Sequence, residues 1–167
     1  LTRHDRVFLT GGSGFLGTSV LQELLRREGT TIYCLVRAAG DVEGLKKLQD
    51  NFARYGHAHP DFERRVVPVL GDLEKPRFGL SEASFRDLAD RVDVVIHNGA
   101  SVNLVFPYEM LREVNVGGTK EAIRFACTAK PKPLHFVSTF SVLHSRDHMH
   151  STEVFETEPL PKAEDLL

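Results

Sequence analysis

The chain has 167 residues, enough for one compact domain and short for two. It is 41% hydrophobic and 26% charged with a formal net charge of −2, the balance of a soluble globular protein rather than a basic nucleic-acid or membrane-surface binder. No apolar run approaches the roughly 20 residues of a membrane span and no signal peptide opens the chain, so the reading is cytoplasmic.

In chain order, five short apolar runs read as strands: residues 7–10, 31–36, 66–70, 92–97 and 134–138. They are almost continuous in Val, Ile, Leu and Phe, the pattern of strands buried on both faces of a parallel sheet. Helical stretches separate them. Residues 15–27 put Phe15, Leu16, Val20, Leu21, Leu24 and Leu25 on one face, with Gly29 as the stop. A second helix spans 45–55, a third follows the N-cap Ser81 with Phe85, Leu88 and Ala89 inward, and a fourth spans 108–126. Pro131 and Pro133 then bracket the turn into the last strand. Strand and helix alternating at this spacing predict an α/β fold, a Rossmann-type doubly wound parallel sheet over residues 1–143. Residues 144–167 read as a surface segment, in which His144, His148 and His150 lack the spacing of a metal site. Cys34 and Cys127 fall in segments that read as buried strand and helix, which suits reduced thiols.

The strongest local signal is Thr10-Gly11-Gly12-Ser13-Gly14-Phe15-Leu16-Gly17, between the first strand and the first helix. In that setting Gly11 allows a tight turn, Gly14 lets backbone N–H groups approach a pyrophosphate, and Gly17 lets the helix pack close to the sheet. The helix tip adds unpaired N–H groups and partial positive charge. About 20 residues on, where an acid would accept from the ribose 2′-hydroxyl of NAD, the second strand ends instead in Arg37. A guanidinium there pairs with a 2′-phosphate, which predicts NADPH as cofactor. Asp72, in Gly71-Asp72-Leu73 after the third strand, either accepts from the adenine amino group or caps its own turn. A second cation shortly after Arg37 is missing; Lys46 and Lys47 are the nearest substitutes, but they read as part of a solvated helix face.

Taken together, these motifs resemble the extended short-chain dehydrogenase/reductase family. The glycine loop, His97-Asn98-Gly99-Ala100, Asn115-Val116-Gly117-Gly118-Thr119 and Phe136-Val137-Ser138-Thr139 occur in that family's order. More narrowly, Leu35-Val36-Arg37-Ala38, Gly71-Asp72-Leu73, Ala100-Ser101-Val102-Asn103, Pro107-Tyr108, Leu111-Arg112 and Asn115-Val116 resemble the thioester reductase domains of nonribosomal peptide synthetases, polyketide synthases and carboxylic acid reductases. The resemblance implies cofactor contacts from Thr10, Gly11, Gly14, Phe15, Leu16, Gly17, Arg37, Asp72, Leu73, Asn98, Gly99 and Ala100. It implies that an acyl thioester on the phosphopantetheine arm of a carrier protein is reduced by NADPH to an aldehyde or alcohol, within a larger multidomain chain. It assigns Thr139 to the catalytic Ser/Thr position, where a hydroxyl steadies the carbonyl oxygen. It also suggests that Tyr108 either touches the acyl arm or packs locally; Asn115, a poor helix former within the fourth helix, reads separately as a tether for neighbouring backbone near the active site or as a helix-surface residue. The family's Tyr-x-x-x-Lys pair occurs nowhere in these residues, so the piece alone is expected to be inactive and to belong to something longer. Alternatives sharing the fold are a fatty acyl-CoA reductase, a redox-inactive cyclising release domain and a non-catalytic NADP-binding module.

Overall fold

A computed structural model describes residues 5–139 and Phe155. Contacts divide the chain into two compact units, Leu1–Phe136 and Val137–Leu167. In the first unit the elements run β1 (Arg6–Thr10), α1 (Phe15–Arg26), β2 (Thr31–Val36), α2 (Asp41–Arg54), α3 (Phe62–Arg65), β3 (Val66–Leu70), α4 (Glu82–Arg91), β4 (Val94–His97), α5 (Tyr108–Arg112), a π-helical turn (Glu113–Gly117), α6 (Gly118–Cys127) and β5 (Leu134–Phe136). All strand pairs are parallel, in the order β3-β2-β1-β4-β5. The expected doubly wound sheet is therefore present, with its order reversing between β1 and β4.

Side-chain alternation explains how the sheet is covered on both faces. Val7, Leu9, Ile32, Cys34, Val36 and Val94 join Leu21, Leu24, Leu25, Leu48, Phe52 and Phe62 in one core beneath α1, α2 and α3. Phe8, Leu35 and Val95 join Phe85, Leu88, Ala122 and Phe125 of α4 and α6 in the other. The two cores cover both faces of the central strands β1, β2 and β4, which is why those sequences show no polar alternation, whereas Val67 of the edge strand β3 and Phe136 of the edge strand β5 are exposed.

Two buried cations stop helices. The Arg65 guanidinium, 6% exposed, donates to the carbonyls of Leu24 (3.2 Å), Leu25 (2.7 Å), Arg27 (2.5 Å) and Thr30 (2.8 Å), satisfying the last turn of α1. Lys132 does the same for α6, donating to Phe125 O (3.1 Å), Thr128 O (2.9 Å) and Lys130 O (2.7 Å). Burial pushes the Lys132 ammonium below its ordinary pKa.

Several local expectations need correction. Residues 108–126 are not one helix: α5 and α6 are joined by the π-helical turn, where Asn115 spends its side chain on another loop. Phe15 and Leu16 do not face the core but are 71% and 48% exposed at the tip of α1, whose buried face begins at Gly17 and Thr18. Helix α2 starts at Asp41 rather than 45, with Glu43 of its first turn accepting from Ala39 N at 3.1 Å, and its Gly44 packs on the sheet, where a Cβ would lie 3.1 Å from Pro68 and 3.2 Å from Val36. Cys127 is exposed, whereas Cys34 is buried. The N-cap Ser81 is as expected, its hydroxyl accepting from Ser84 N at 3.1 Å. No helix among the described residues is long and apolar enough to cross a membrane.

Candidate cofactor site

The carboxyl ends of β1 and β4 meet where the strand order reverses, the place at which open α/β sheets bind ligands. Residues 11–14 turn the chain from β1 into α1. Gly11 sits at φ +72°, and a Cβ on it would lie 2.7 Å from Gly99 Cα, so backbone from β4 leaves no room for a side chain. At Gly17 a Cβ would lie 2.0 Å from Gly11 O, which lets α1 start directly against the turn. At Gly14 the nearest atom to such a Cβ is Gly11 O, at 3.3 Å, and Gly14 is exposed; this glycine faces the open side. No side chain caps α1 at Gly14 and its first turn holds no acid, so its leading N–H groups and positive dipole end are available to an anion. These residues fit the pyrophosphate of a dinucleotide.

Gly12, not singled out in the motif reading, has its own reason. A Cβ there would lie 2.2 Å from Cys34 Sγ, so the loop rests directly on β2. Burial pushes the Cys34 thiol up to about 12 and keeps it protonated.

At the ends of β2 and β3 lies a pocket of about 300 Å³ lined by Arg37, Ala38, Leu70, Gly71, Asp72, Lys75, Phe78 and Gly79. Arg37 is exposed at its rim. The second cation absent after Arg37 enters from the other side as Lys75, and no ion pair engages either side chain among the described residues. Lys46 instead pairs with Asp50 (3.1 Å), and Lys47 donates to Arg37 O (3.0 Å). Asp72 caps its own turn, its Oδ1 accepting from Glu74 N at 3.1 Å, while also lining the pocket. The chain then turns through Arg77, Phe78 and Gly79, all at positive φ (53°, 57° and 78°). A left-handed run costs about 1–2 kcal/mol per non-glycine residue. Fully buried Phe78 offsets it by packing on Phe8, Phe85 and Phe125, at ring-centroid distances of 5.5, 5.9 and 6.1 Å. Sequence reasoning missed Lys75 because nothing in the spacing announces a turn that swings residue 75 back toward the end of β2.

Beyond β4, Asn98 donates from Nδ2 to Gly11 O at 3.3 Å, and Gly99 N donates to Thr10 Oγ1 at 2.9 Å. The loop after β4 is thereby tied to the glycine turn. Leu73 packs against both Gly99 and Gly118, where added Cβ atoms would lie 2.7 and 3.2 Å from it. Ala100 is exposed at the loop's start. Asn115 tethers backbone as expected, accepting from Ser101 N (2.8 Å) and donating to Ser101 O (3.1 Å). Val102, Leu104, Val105 and Phe106 follow as an exposed apolar lip, and Tyr108 is 61% exposed beside them. The expected cofactor residues thus fall at the end of β1, in the first turn of α1 and on the loops after β1, β2, β3 and β4 of the first unit. Thr139 belongs to the second unit, where it is exposed. His144, His148 and His150 lie outside the described residues, among which no cluster of metal-ligating side chains occurs.

Residues 9–166 match the NAD-binding family described as Male sterility protein. A linear gramicidin synthase chain of Brevibacillus parabrevis is 46% identical over 99% of the chain, which spans 3% of that protein. The L-2-aminoadipate reductase of Penicillium chrysogenum, in its large subunit, is 41% identical over 92% of the chain, spanning 11% of the relative. Among solved structures, the terminal R domain of the myxalamid PKS-NRPS biosynthetic pathway superposes over 99% of the chain and 42% of its own, with 41% identity and a TM-score of 0.93. A thiolation-reductase di-domain from an archaeal nonribosomal peptide synthetase matches over 88% of the chain and 39% of its own, at 29% identity and a TM-score of 0.71. The chain therefore spans a small part of these multidomain proteins and under half of these solved R-domain structures, to part of which it is similar, and it belongs to the NAD-binding family described as Male sterility protein.

Proposed function

We propose that this chain forms the NADPH-binding part of a reductase that releases an acyl group from a carrier protein as an aldehyde or alcohol. The observation that carries the reading is the pairing of an uncapped, acid-free α1 tip with a pocket holding two cations, Arg37 and Lys75. The tip suits the pyrophosphate and the cations suit a 2′-phosphate, whereas an NAD site would present a carboxylate at the position of Arg37. When bound, NADPH supplies the hydride for the thioester carbonyl. The chain's own part is to bind and orient: Gly14 and the α1 amides hold the pyrophosphate, Asn98, Gly99 and Ala100 border the nicotinamide half, and the Thr139 hydroxyl donates to the carbonyl oxygen as charge develops there. Tyr108 and the apolar residues 102–106 would receive the acyl or phosphopantetheine arm. The carrier-protein partner is supported by the thiolation-reductase di-domain among the similar structures.

The test is single turnover on a carrier protein loaded with a phosphopantetheine-bound acyl thioester. The intact reductase oxidises NADPH and releases aldehyde. Residues 1–167 alone bind the nucleotide but release none, because they contain no Tyr-x-x-x-Lys to supply the proton. Aldehyde from residues 1–167 alone would refute the division of labour. Preferred turnover of a free acyl-CoA would favour the fatty acyl-CoA reductase reading.

A further inference from the structure

Beneath the glycine turn, three loops are joined by one chain of hydrogen bonds whose direction follows from the partners of the Thr119 hydroxyl. His97, at the end of β4 and 1% exposed, holds its ring between two hydroxyls. Thr10 Oγ1 is 2.8 Å from His97 Nδ1, and Thr119 Oγ1 is 3.2 Å from Nε2. A hydroxyl has a single proton to give. That of Thr119 goes to Asn115 O at 2.6 Å, a carbonyl that only accepts. Thr119 must therefore accept from the ring, which requires Nε2–H. In a neutral ring Nδ1 then carries the lone pair, so Thr10 donates to it, and the Thr10 oxygen accepts the Gly99 N–H at 2.9 Å. The proton order runs from Gly99 through Thr10 and His97 to Thr119 and Asn115. Asn115 in turn holds both backbone groups of Ser101.

We propose that His97 is a positioning residue of the cofactor groove. Fixed as the neutral Nε2–H tautomer, it locks the glycine turn to the π-helical turn and so sets where the loop 98–103 stands over the nicotinamide half. The proposal rests on the cofactor reading above for its function, but its tautomer assignment rests on geometry alone. An imidazolium would aim an N–H at Thr10 Oγ1, which already accepts from Gly99, and would leave the Thr10 proton without its acceptor. Consistent with this, burial pushes the His97 pKa down to about 4. The side chains recorded on the ring come from β1 (Thr10), β5 (Phe136, stacked at 5.7 Å between centroids) and α6 (Thr119), and none is charged or titratable. Among the described residues, no charged group faces the ring to stabilise a positive charge on it. The π-helical turn has a use in this arrangement: it places the Asn115 carbonyl and side chain so that one accepts from Thr119 while the other reaches Ser101.

Two measurements on the intact protein test the proposal. Long-range 1H–15N correlation of the imidazoles should show His97 as a neutral Nε2–H tautomer that does not ionise between pH 8 and about 5. An Nδ1–H tautomer, or ionisation near the ordinary value, would overturn it. The second compares Thr119→Val, which cannot accept from the ring, with Thr119→Ser, which can. Titrated with NADPH and with 2′,5′-ADP, the Val variant should lose about tenfold in NADPH affinity, the scale of one hydrogen bond, with 2′,5′-ADP changed by less than about twofold. The Ser variant should match the parent for both. Equal losses for both ligands would mark a purely structural role, and an unchanged NADPH affinity in Thr119→Val would also overturn the positioning role. Failure of the unaltered protein to bind either nucleotide, with the tautomer as assigned, would instead count against the cofactor reading.

Discussion

At the residue scale, the glycine loop shows how a motif is explained by what lies under and beside each position. Gly11, Gly14 and Gly17 were legible in the sequence because turn, approach and helix packing each require glycine at a known offset. Gly12 was not, because its constraint is the Cys34 thiol of another strand. Gly12→Ala is expected to destabilise the protein by about 1–3 kcal/mol through overpacking. The double variant with Cys34→Ala should regain at least half of that loss, since the severe clash is with Sγ at 2.2 Å and the next contact, Leu9 Cδ2, lies at 3.3 Å. Chemical denaturation of the two single variants and the double checks this; strictly additive losses would contradict it.

His97 gives a pH dependence whose sign is fixed. Its folded pKa of about 4 lies below the unfolded value of 6.5, so between these values the unfolded chain binds the extra proton. The stabilisation is complete above about pH 6.5 and fades as pH falls toward 4, by about 3 kcal/mol in all. Urea unfolding at pH 7.5 and 5 should show the drop, and His97→Asn should flatten it.

At the scale of elements, strands and their order were the most readable feature, because burial on both faces leaves an unmistakable apolar run. Helix ends were less so. The short α3, and the use of Arg65 to close α1, depend on contacts thirty-five and more residues apart in the chain. In the sequence, Arg65 is one more arginine in a polar stretch. Its removal should be severe: Arg65→Met takes the guanidinium from the carbonyls of Leu25, Arg27 and Thr30, leaving Leu24 O only its bond from Arg27 N, and is expected to cost about 3 kcal/mol, read from thermal or urea unfolding. A change under about 0.5 kcal/mol, the range of ordinary surface substitutions, would contradict the capping role. The split of the predicted fourth helix has the same origin. Asn115, Gly117 and Gly118 have poor helix propensity within residues 108–126, and the tie from Asn115 to Ser101 makes sense of the π-helical turn formed there.

At the scale of the whole molecule, the sheet's reversal point, the α1 tip and the pocket at the ends of β2 and β3 lie along one edge of a single parallel sheet. That edge was predictable from the glycine loop and Arg37. Lys75 was hidden because its place depends on the left-handed turn at 77–79, which the buried Phe78 ring sustains.

The most direct test of the cofactor assignment is equilibrium titration of the intact protein with NADPH and NADH, repeated for Arg37→Ala and for Arg37→Ala with Lys75→Ala. The account predicts that NADPH binds at least about 100-fold more tightly than NADH, as two charge-assisted contacts would give. The preference should fall stepwise through the single and double variants, with NADH affinity nearly constant. Equal affinity for the two nucleotides in the unaltered protein, or a preference that survives the double substitution, would contradict it.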